Sequence, residues 1–338
     1  MYPSKYSFSW NAMDVGPKRD LLGELAAAVR NGSDMHFGIY HSLFDWFHPL
    51  YKKDKESGFK TQDFVKSKAL PELYELVMEY HPEVVWSDGD WEAPDQYWNS
   101  TGFLAWLYNE SPVKDIVVTN DRWGQGCPCK HGGYYSCADR FNPGTLQKHK
   151  WESCTTIDRE SWGYRREARF ADFYSIEEIL KMLVGVVSCG GNLLLNVGPT
   201  SYGKISPIFE ERLHQMGEWL KVNGEAIYKT RPWPKAQNDT LSSFVWYGLI
   251  SQYLTKSSVM YTQGKSSPAV YAIALEWPDN EVLHLGAPKP TETTEVYMLG
   301  YDKPLRWKSV KDGMVVDFPN MSRVSSKWSW VLKLLDVA

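Results

Sequence analysis

Glu83-Val84-Val85-Trp86-Ser87-Asp88-Gly89-Asp90-Trp91 decides how this chain is read. A short β-branched, apolar run stops abruptly at an aspartate, a glycine, a second aspartate and a tryptophan. That is the pattern of a buried strand emerging into a turn. A carboxylate at the mouth of a buried strand is held rigidly and is partly dehydrated. Trp86 and Trp91 flank it with flat apolar faces of the kind that cover the C–H face of a sugar ring. The plain alternative is a solvated Asp-Gly turn, so the surrounding pattern has to decide.

Immediately upstream, Leu73, Leu76, Val77 and Tyr80 recur at i, i+3, i+4 and i+7 and predict a helix over 71–80. The alternation extends in both directions. A helix is predicted over 17–31, with Pro17 near its first position, followed by a strand over 35–40. A helix around 103–108 precedes a strand over 115–119 that closes on Asn120-Asp121-Arg122. A long Gly/Cys/Tyr loop then leads to a strand over 151–157. Ser175-Ile-Glu-Glu178 is a capping box that opens a helix running to about Cys189, and Gly190-Gly191 stops it. Residues 192–197 read as a buried strand, and Pro207 starts a helix ending near Asn223-Gly224.

Repeated helix-then-strand units of this length predict parallel strands covered by helices. Polar residues gather just past the strand ends: His41, Asp88, Asn120, Asp121, Arg122, Glu152 and Asn196. Functional groups at the carboxyl ends of several parallel strands are the habit of a (β/α)8 barrel. A doubly wound sheet is the runner-up, but no Gly-x-Gly-x-x-Gly follows a strand. About five strands can be counted where a closed barrel has eight, and the chain opens inside a strand–helix repeat. The expected fold is therefore α/β: a (β/α)8-like barrel, amino-terminally truncated, over residues 1–224. From 225 to 338 the pattern changes to short strands separated by Gly, Pro, Asn and Asp, which predicts an antiparallel β-sandwich. The stretch 246–264 has no clear turn signals and is unassigned.

The 338 residues suffice for one large domain or two, and 43% apolar with 23% charged residues places them among soluble globular chains. A net charge of −4 argues against nucleic-acid and anionic-membrane partners, which require a basic face. No run is long and apolar enough to span a bilayer. Sixteen Trp and twenty Tyr exceed what a core needs, and amphipathic rings favour sugar stacking or interfaces. Five sequons, at Asn31, Asn99, Asn109, Asn238 and Asn320, lean towards the secretory pathway. The start at Met1 shows neither an apolar signal region nor a cleavage site, so the natural amino terminus is expected upstream.

The cysteines are Cys127, Cys129, Cys137, Cys154 and Cys189, and an odd number leaves at least one unpaired within the chain. Cys127-Pro-Cys129-Lys-His131 has metal-ligand residue types, but no second ligand pair follows at zinc spacing. No metal and no cofactor is expected there; a loop cysteine cluster or a local disulfide is.

Several longer motifs act together. They are Val15-Gly-Pro-Lys-Arg-Asp20, Gly38-Ile-Tyr-His-Ser-Leu-Phe-Asp-Trp-Phe-His-Pro49, Trp86-Ser-Asp-Gly-Asp90, Asp95-Gln-Tyr-Trp-Asn-Ser-Thr101, Asn120-Asp-Arg-Trp-Gly124 and His131-Gly-Gly-Tyr-Tyr135. The densest are Pro143-x2-Leu-x3-Lys-Trp-Glu-x-Cys154 and Ser161-Trp-Gly-Tyr-Arg-Arg166. On these the chain resembles the α-L-fucosidases of glycoside hydrolase family 29, from about Ser9 almost to its end. The resemblance implies a barrel-like catalytic domain followed by a β-sandwich. It implies hydrolysis of terminal α-L-fucose with retention, fucosylated glycans as partners, a secreted or lysosomal location, and a homo-oligomer. The family's His-His-Glu-Gly-Phe motif lies on an earlier barrel strand, and this chain starts after it. The rival reading is therefore a catalytically inactive, truncated form that binds fucose or a partner.

Retaining glycosidases use two carboxyl groups about 5–5.5 Å apart, one nucleophilic and one acid/base. Asp88 matches the family nucleophile, and Asp90 falls in the neighbouring loop. Asp139, in Cys137-Ala-Asp-Arg140, aligns with a loop acid/base; Glu152, at a strand end inside the signature, is the second choice. The resemblance further implies sugar contacts at Trp86, Arg122 and His41 (or Tyr40 beside it), with Trp162 on the C6 methyl of fucose. Cys154 closes the signature and is a candidate for a part in catalysis. Retaining hydrolysis has no step for a thiol, so a buried structural cysteine is the favoured reading.

Overall fold

The computed structural model describes residues 1–239, 241 and 259–338. Of the unassigned stretch 246–264, the part up to 258 lies outside the described residues and Val259–Gly264 is a strand. The chain forms two compact units, Met1–Ala138 and Asp139–Ala338.

The first unit is built from βα repeats. Its elements are α1 (Leu21–Gly32), β1 (Gly38–Ser42), α2 (Pro49–Glu56), α3 (Leu70–Tyr80), β2 (Val84–Asp88), α4 (Asp95–Trp98), α5 (Ser100–Asn109) and β3 (Val118–Thr119). The strands are parallel in the order β1-β2-β3. Tyr40 stands opposite Trp86, His41 opposite Ser87, and Ser42 opposite Asp88. Ile39, Val85, Leu73, Leu76, Val77, Phe103 and Leu107 join one core between sheet and helices.

Helix α1 starts later than the Pro17 signal suggests. Asp20 is its N-cap and accepts the Gly23 N–H at 2.9 Å, a bond that proline at position 17 cannot supply. Strand β1 begins at Gly38 and extends to Ser42, beyond the expected 35–40. Strand β3 has two residues, because turns at Val113 accept the N–H groups of Ile116 and Val117. Helix α2 carries its own signal, with the His48 ring accepting the Leu50 N–H at 3.2 Å ahead of Pro49.

The second unit opens with β4 (Trp151–Thr156), α6 (Ile176–Ser188), β5 (Gly191–Asn196) and α7 (Pro207–Asn223). Strands β4 and β5 are parallel along their whole length. The Ser175–Glu178 capping box forms as expected.

Next come β6 (Thr230–Pro232), β7 (Val259–Gly264), β8 (Val270–Ala274), β9 (Val282–Leu285), β10 (Pro290–Met298), β11 (Trp307–Val310), β12 (Gly313–Asp317) and β13 (Trp330–Val337). They make a five-stranded antiparallel sheet, β10-β13-β8-β7-β6, and a three-stranded one, β11-β12-β9. Tyr261, Ala272, Leu285, Met298, Val316 and Leu332 belong to one core shared by the two sheets, the section of a β-sandwich. On its other face the larger sheet packs Met260, Tyr271, Ile273 and Val331 against Leu180, Leu183, Val184 and Trp219 of α6 and α7.

Candidate active site

The strand of the opening motif delivers Asp88 to the carboxyl end of a parallel sheet. Period-2 alternation puts Tyr40, Trp86 and Asp88 on one face and His41 and Ser87 on the other. The Tyr40 hydroxyl donates to Asp88 Oδ2 at 2.8 Å, and the Arg122 guanidinium donates to Oδ1 at 3.0 Å. Trp86 lies between these two donors, its ring stacked on Tyr40 at 5.7 Å with the guanidinium 4.7 Å from its centre. Asp88 is thus a carboxylate with both oxygens tethered and its side chain about one-fifth exposed.

The segment after β3 makes this possible. Asn120 continues the sheet with its side chain, accepting the Ser87 N–H at 3.1 Å and donating to the Ser87 carbonyl at 2.8 Å. Asp121, fully buried, accepts four hydrogen bonds, from the N–H groups of Cys129, Ser136 and Cys137 and from the Ser136 hydroxyl. Cys129 and Cys137 form a disulfide, the local bridge expected of this loop; Cys127, Cys154 and Cys189 are buried and outside any disulfide among the described residues. The Ser136 hydroxyl oxygen also lies 3.2 Å from Arg122 Nε, so the Asp121 network orients the guanidinium that reaches Asp88. Gly132 is required here, because a Cβ would come within 2.8 Å of the Asn120 carbonyl and of Asp121 Cα.

Asp90, two residues beyond Asp88, is 4% exposed. Burial pushes its carboxyl up to about 6, helped by the charges of Asp88 and Asp121 and opposed by its own backbone N–H and by Arg122. His41 turns away from Asp88: it is buried on the back of β1 with Nε2 at 3.6 Å from Glu72. Burial acts to raise the Glu72 carboxyl, but the nearby His41 ring and hydrogen bonds from Ser7 and Lys68 outweigh it and hold the group at about 2. Tyr40, the neighbour of His41, is the residue of this strand that touches Asp88. The alternation of β1 against β2 is the signal that separates them.

In the second unit, Asp139 stands on a loop, and Arg140 after it has left-handed backbone. The Arg140 N–H donates to the Cys154 carbonyl at 2.8 Å, and its guanidinium reaches the Asp158 carbonyl at 3.5 Å. The Trp162 indole N–H donates to Asp139 Oδ2 at 3.1 Å, and the Cys154 thiol lies 3.8 Å from Oδ1. Asn196, at the end of β5, holds the Trp162 carbonyl at 2.8 Å. Glu152 shares the strand face of Cys154 two residues away. Asp139, Cys154 and Trp162 are therefore one cluster, with Glu152 on the adjoining strand. Among the described residues, no group of three or more His, Cys, Asp or Glu side chains could hold a metal ion.

Of the sequon asparagines, Asn31, Asn99, Asn109 and Asn320 are exposed and Asn238 is half-buried.

A family model described as Alpha-L-fucosidase matches residues 1–225, and one described as Alpha-L-fucosidase C-terminal domain matches 237–335. The chain is 58% identical over 339 residues to an Alpha-L-fucosidase of Branchiostoma floridae, covering 99% of this chain and 72% of that protein. It is 56% identical over 341 residues to the Plasma alpha-L-fucosidase of Homo sapiens, covering 100% of this chain and 70% of that protein. The crystal structure of Thermotoga maritima alpha-fucosidase with a mechanism-based inhibitor superposes with a TM-score of 0.76 at 30% identity, over 98% of this chain and 72% of that one. The expected fold class, a barrel-type α/β catalytic domain with a carboxyl-terminal β-sandwich, agrees with these relatives. The chain belongs to the α-L-fucosidase family of glycoside hydrolases.

Proposed function

We propose that this chain hydrolyses terminal α-L-fucose from glycoproteins, glycolipids and oligosaccharides by double displacement, with residues 1–224 as the catalytic domain and 225–338 as the β-sandwich. Asp88 is the nucleophile. One of its oxygens attacks the anomeric carbon as the glycosidic bond breaks, giving a glycosyl-enzyme ester. Asp139 is the acid/base: its carboxyl proton passes to the departing oxygen, and the resulting carboxylate then takes a proton from the water that cleaves the ester. Glu152 is the alternative for that role.

The observation that carries the reading is the Asp88 carboxylate at the end of β2, held by Tyr40 and Arg122 beside the Trp86 indole. Each oxygen accepts one tether and keeps a second lone pair for the sugar carbon. Arg122 and Trp86 are sugar contacts in this proposal. Tyr40 takes the place beside Asp88, while His41 supports β1 from behind through Glu72. Trp162 orients Asp139 and lends its ring to the C6 methyl; Cys154 supports the same carboxyl without taking part in a covalent step.

The sequons and the Cys129–Cys137 disulfide support a secreted or lysosomal protein, since both belong to oxidising compartments. No helix among the described residues is long and apolar enough to cross a membrane. By family resemblance the protein is a homo-oligomer.

The test is hydrolysis of a chromogenic α-L-fucoside, followed by proton NMR of the first fucose released. Appearance of the α-anomer before mutarotation supports double displacement; the β-anomer first, or no hydrolysis, rejects the proposal.

A further inference from the structure

The loops that follow β1 and β2 carry an aromatic cluster to which neither the fold nor the two carboxyl groups assign a task. Phe44 lies against the turn after Asp88: a Cβ on Gly89, whose φ is +80°, would sit 2.7 Å from its ring. Trp46 stacks on Phe44 at 4.8 Å and 16°, and Trp91 meets Phe44 edge-on at 5.3 Å. Both indoles are half exposed, Trp46 at 55% and Trp91 at 51%. Phe44 braces both. Glu92 takes hydrogen bonds from Tyr51 and Lys55, and Tyr51 closes the underside of the Phe44 ring.

Indoles packed on a third ring and left open to water, with a carboxylate and an ammonium nearby, suit the mixed C–H and hydroxyl surface of a pyranose. Two indole faces are far too small for a stable protein partner, which needs roughly 1,200 Å² or more of total buried surface. Their place fixes the occupant. The loop of Phe44 and Trp46 leaves β1 at Ser42, the register partner of Asp88, and Trp91 is three residues beyond Asp88.

We propose that Trp46 and Trp91, braced by Phe44, form the binding platform for the sugar that bears the fucose. This rests on the reading of Asp88 as the residue that attacks the fucose anomeric carbon. A platform of this kind selects the aglycone and leaves the chemistry at Asp88 untouched.

The experiment compares two substrates, α-L-fucosyl fluoride, which has nothing beyond the fucose, and a fucosyl disaccharide with fucose on galactose or on N-acetylglucosamine. Trp46→Ala and Trp91→Ala should each lower kcat/KM for the disaccharide about tenfold and leave the fluoride within about twofold of wild type. Trp91→Tyr, which keeps a ring, should recover most of the loss. Equal losses on both substrates, or no loss on the disaccharide, overturn the proposal. So does a change of oligomeric mass with disaccharide turnover intact, which would make the platform a contact between copies.

Calorimetry on the Asp88→Asn protein reads the platform without turnover. The disaccharide should bind about tenfold tighter than free fucose, and this margin should vanish when Trp46→Ala is added. Should wild type hydrolyse neither substrate, the proposed function falls while calorimetry still decides the platform: a margin that Trp46→Ala removes upholds it, and no margin rejects it.

Discussion

Asp88 closes a strand paired with β1 along its length and continued towards β3 by the Asn120 side chain, whereas Asp139 stands on a loop followed by a left-handed residue. The partners differ as well. Asp88 is tied by a guanidinium and a phenol, while Asp139 meets an indole N–H and, at longer range, a thiol. A nucleophile has to keep its position through two displacements, and backbone ladders do this best. An acid/base group has to give a proton and take one back, and a place on a loop allows its carboxyl to adjust as it does so. Under the proposed mechanism the two regions divide fixity and adjustability between them.

The sharpest way to break this contrast is at Asp88. Asp88→Asn keeps the shape and removes the attacking charge, so kcat on a chromogenic α-L-fucoside should fall by about a thousandfold or more. Near-normal turnover would remove Asp88 from the chemistry.

Asp139→Ala should cost about 10²–10⁴-fold, less on a substrate whose leaving group needs no proton, and added azide should restore turnover as a fucosyl azide. Glu152→Ala should show no azide rescue. The reverse outcome exchanges the two roles.

The loop that orients Arg122 is tested by stability. Asp121→Ala strands four donors, and thermal or urea unfolding should register a loss of about 3–5 kcal/mol. Cys129→Ser, which opens a short loop, should cost about 2–3 kcal/mol. If Asp121→Ala proves milder than Cys129→Ser, the disulfide and not the carboxylate organises the segment.

The smallest effect is a pH dependence at Asp90. The folded chain keeps this proton up to about pH 6, against an ordinary value of 3.8, so stability falls as pH rises between those values and stays lower above them. Asp90→Asn should therefore be no more stable than wild type near pH 4 and more stable by up to about 3 kcal/mol at pH 7. A difference that does not change with pH would remove Asp90 as the titrating group.

Much of this was legible in the residues. The helix over Pro207–Asn223, the capping box at Ser175 and the parallel strands each carried a local signal strong enough to place them. Asp88 was legible because a buried strand ending in a carboxylate is a local pattern. The tethers of Asp88 were less so. Tyr40 and His41 are adjacent in sequence and differ in which face of β1 they occupy, a matter of register with β2. The four bonds to Asp121 come from residues eight to sixteen positions away, in a loop with no periodicity to announce its path. The Asp20 cap prevailed over the Pro17 signal because the chain ahead of α1 is folded on itself, with the Val15 N–H on the Asn11 carbonyl and the Arg19 N–H on the Ala12 carbonyl.

The grip of Asp121 on Cys129 and Cys137 has a consequence for how their backbone is held. Both cysteines have left-handed backbone, which costs an L-residue roughly 1–2 kcal/mol each. Their N–H groups nonetheless converge on a single carboxylate oxygen. The carboxylate and the bridge thus hold the same two residues, one by charge and the other by a covalent bond. Loss of either restraint leaves the other alone to keep two left-handed residues in place.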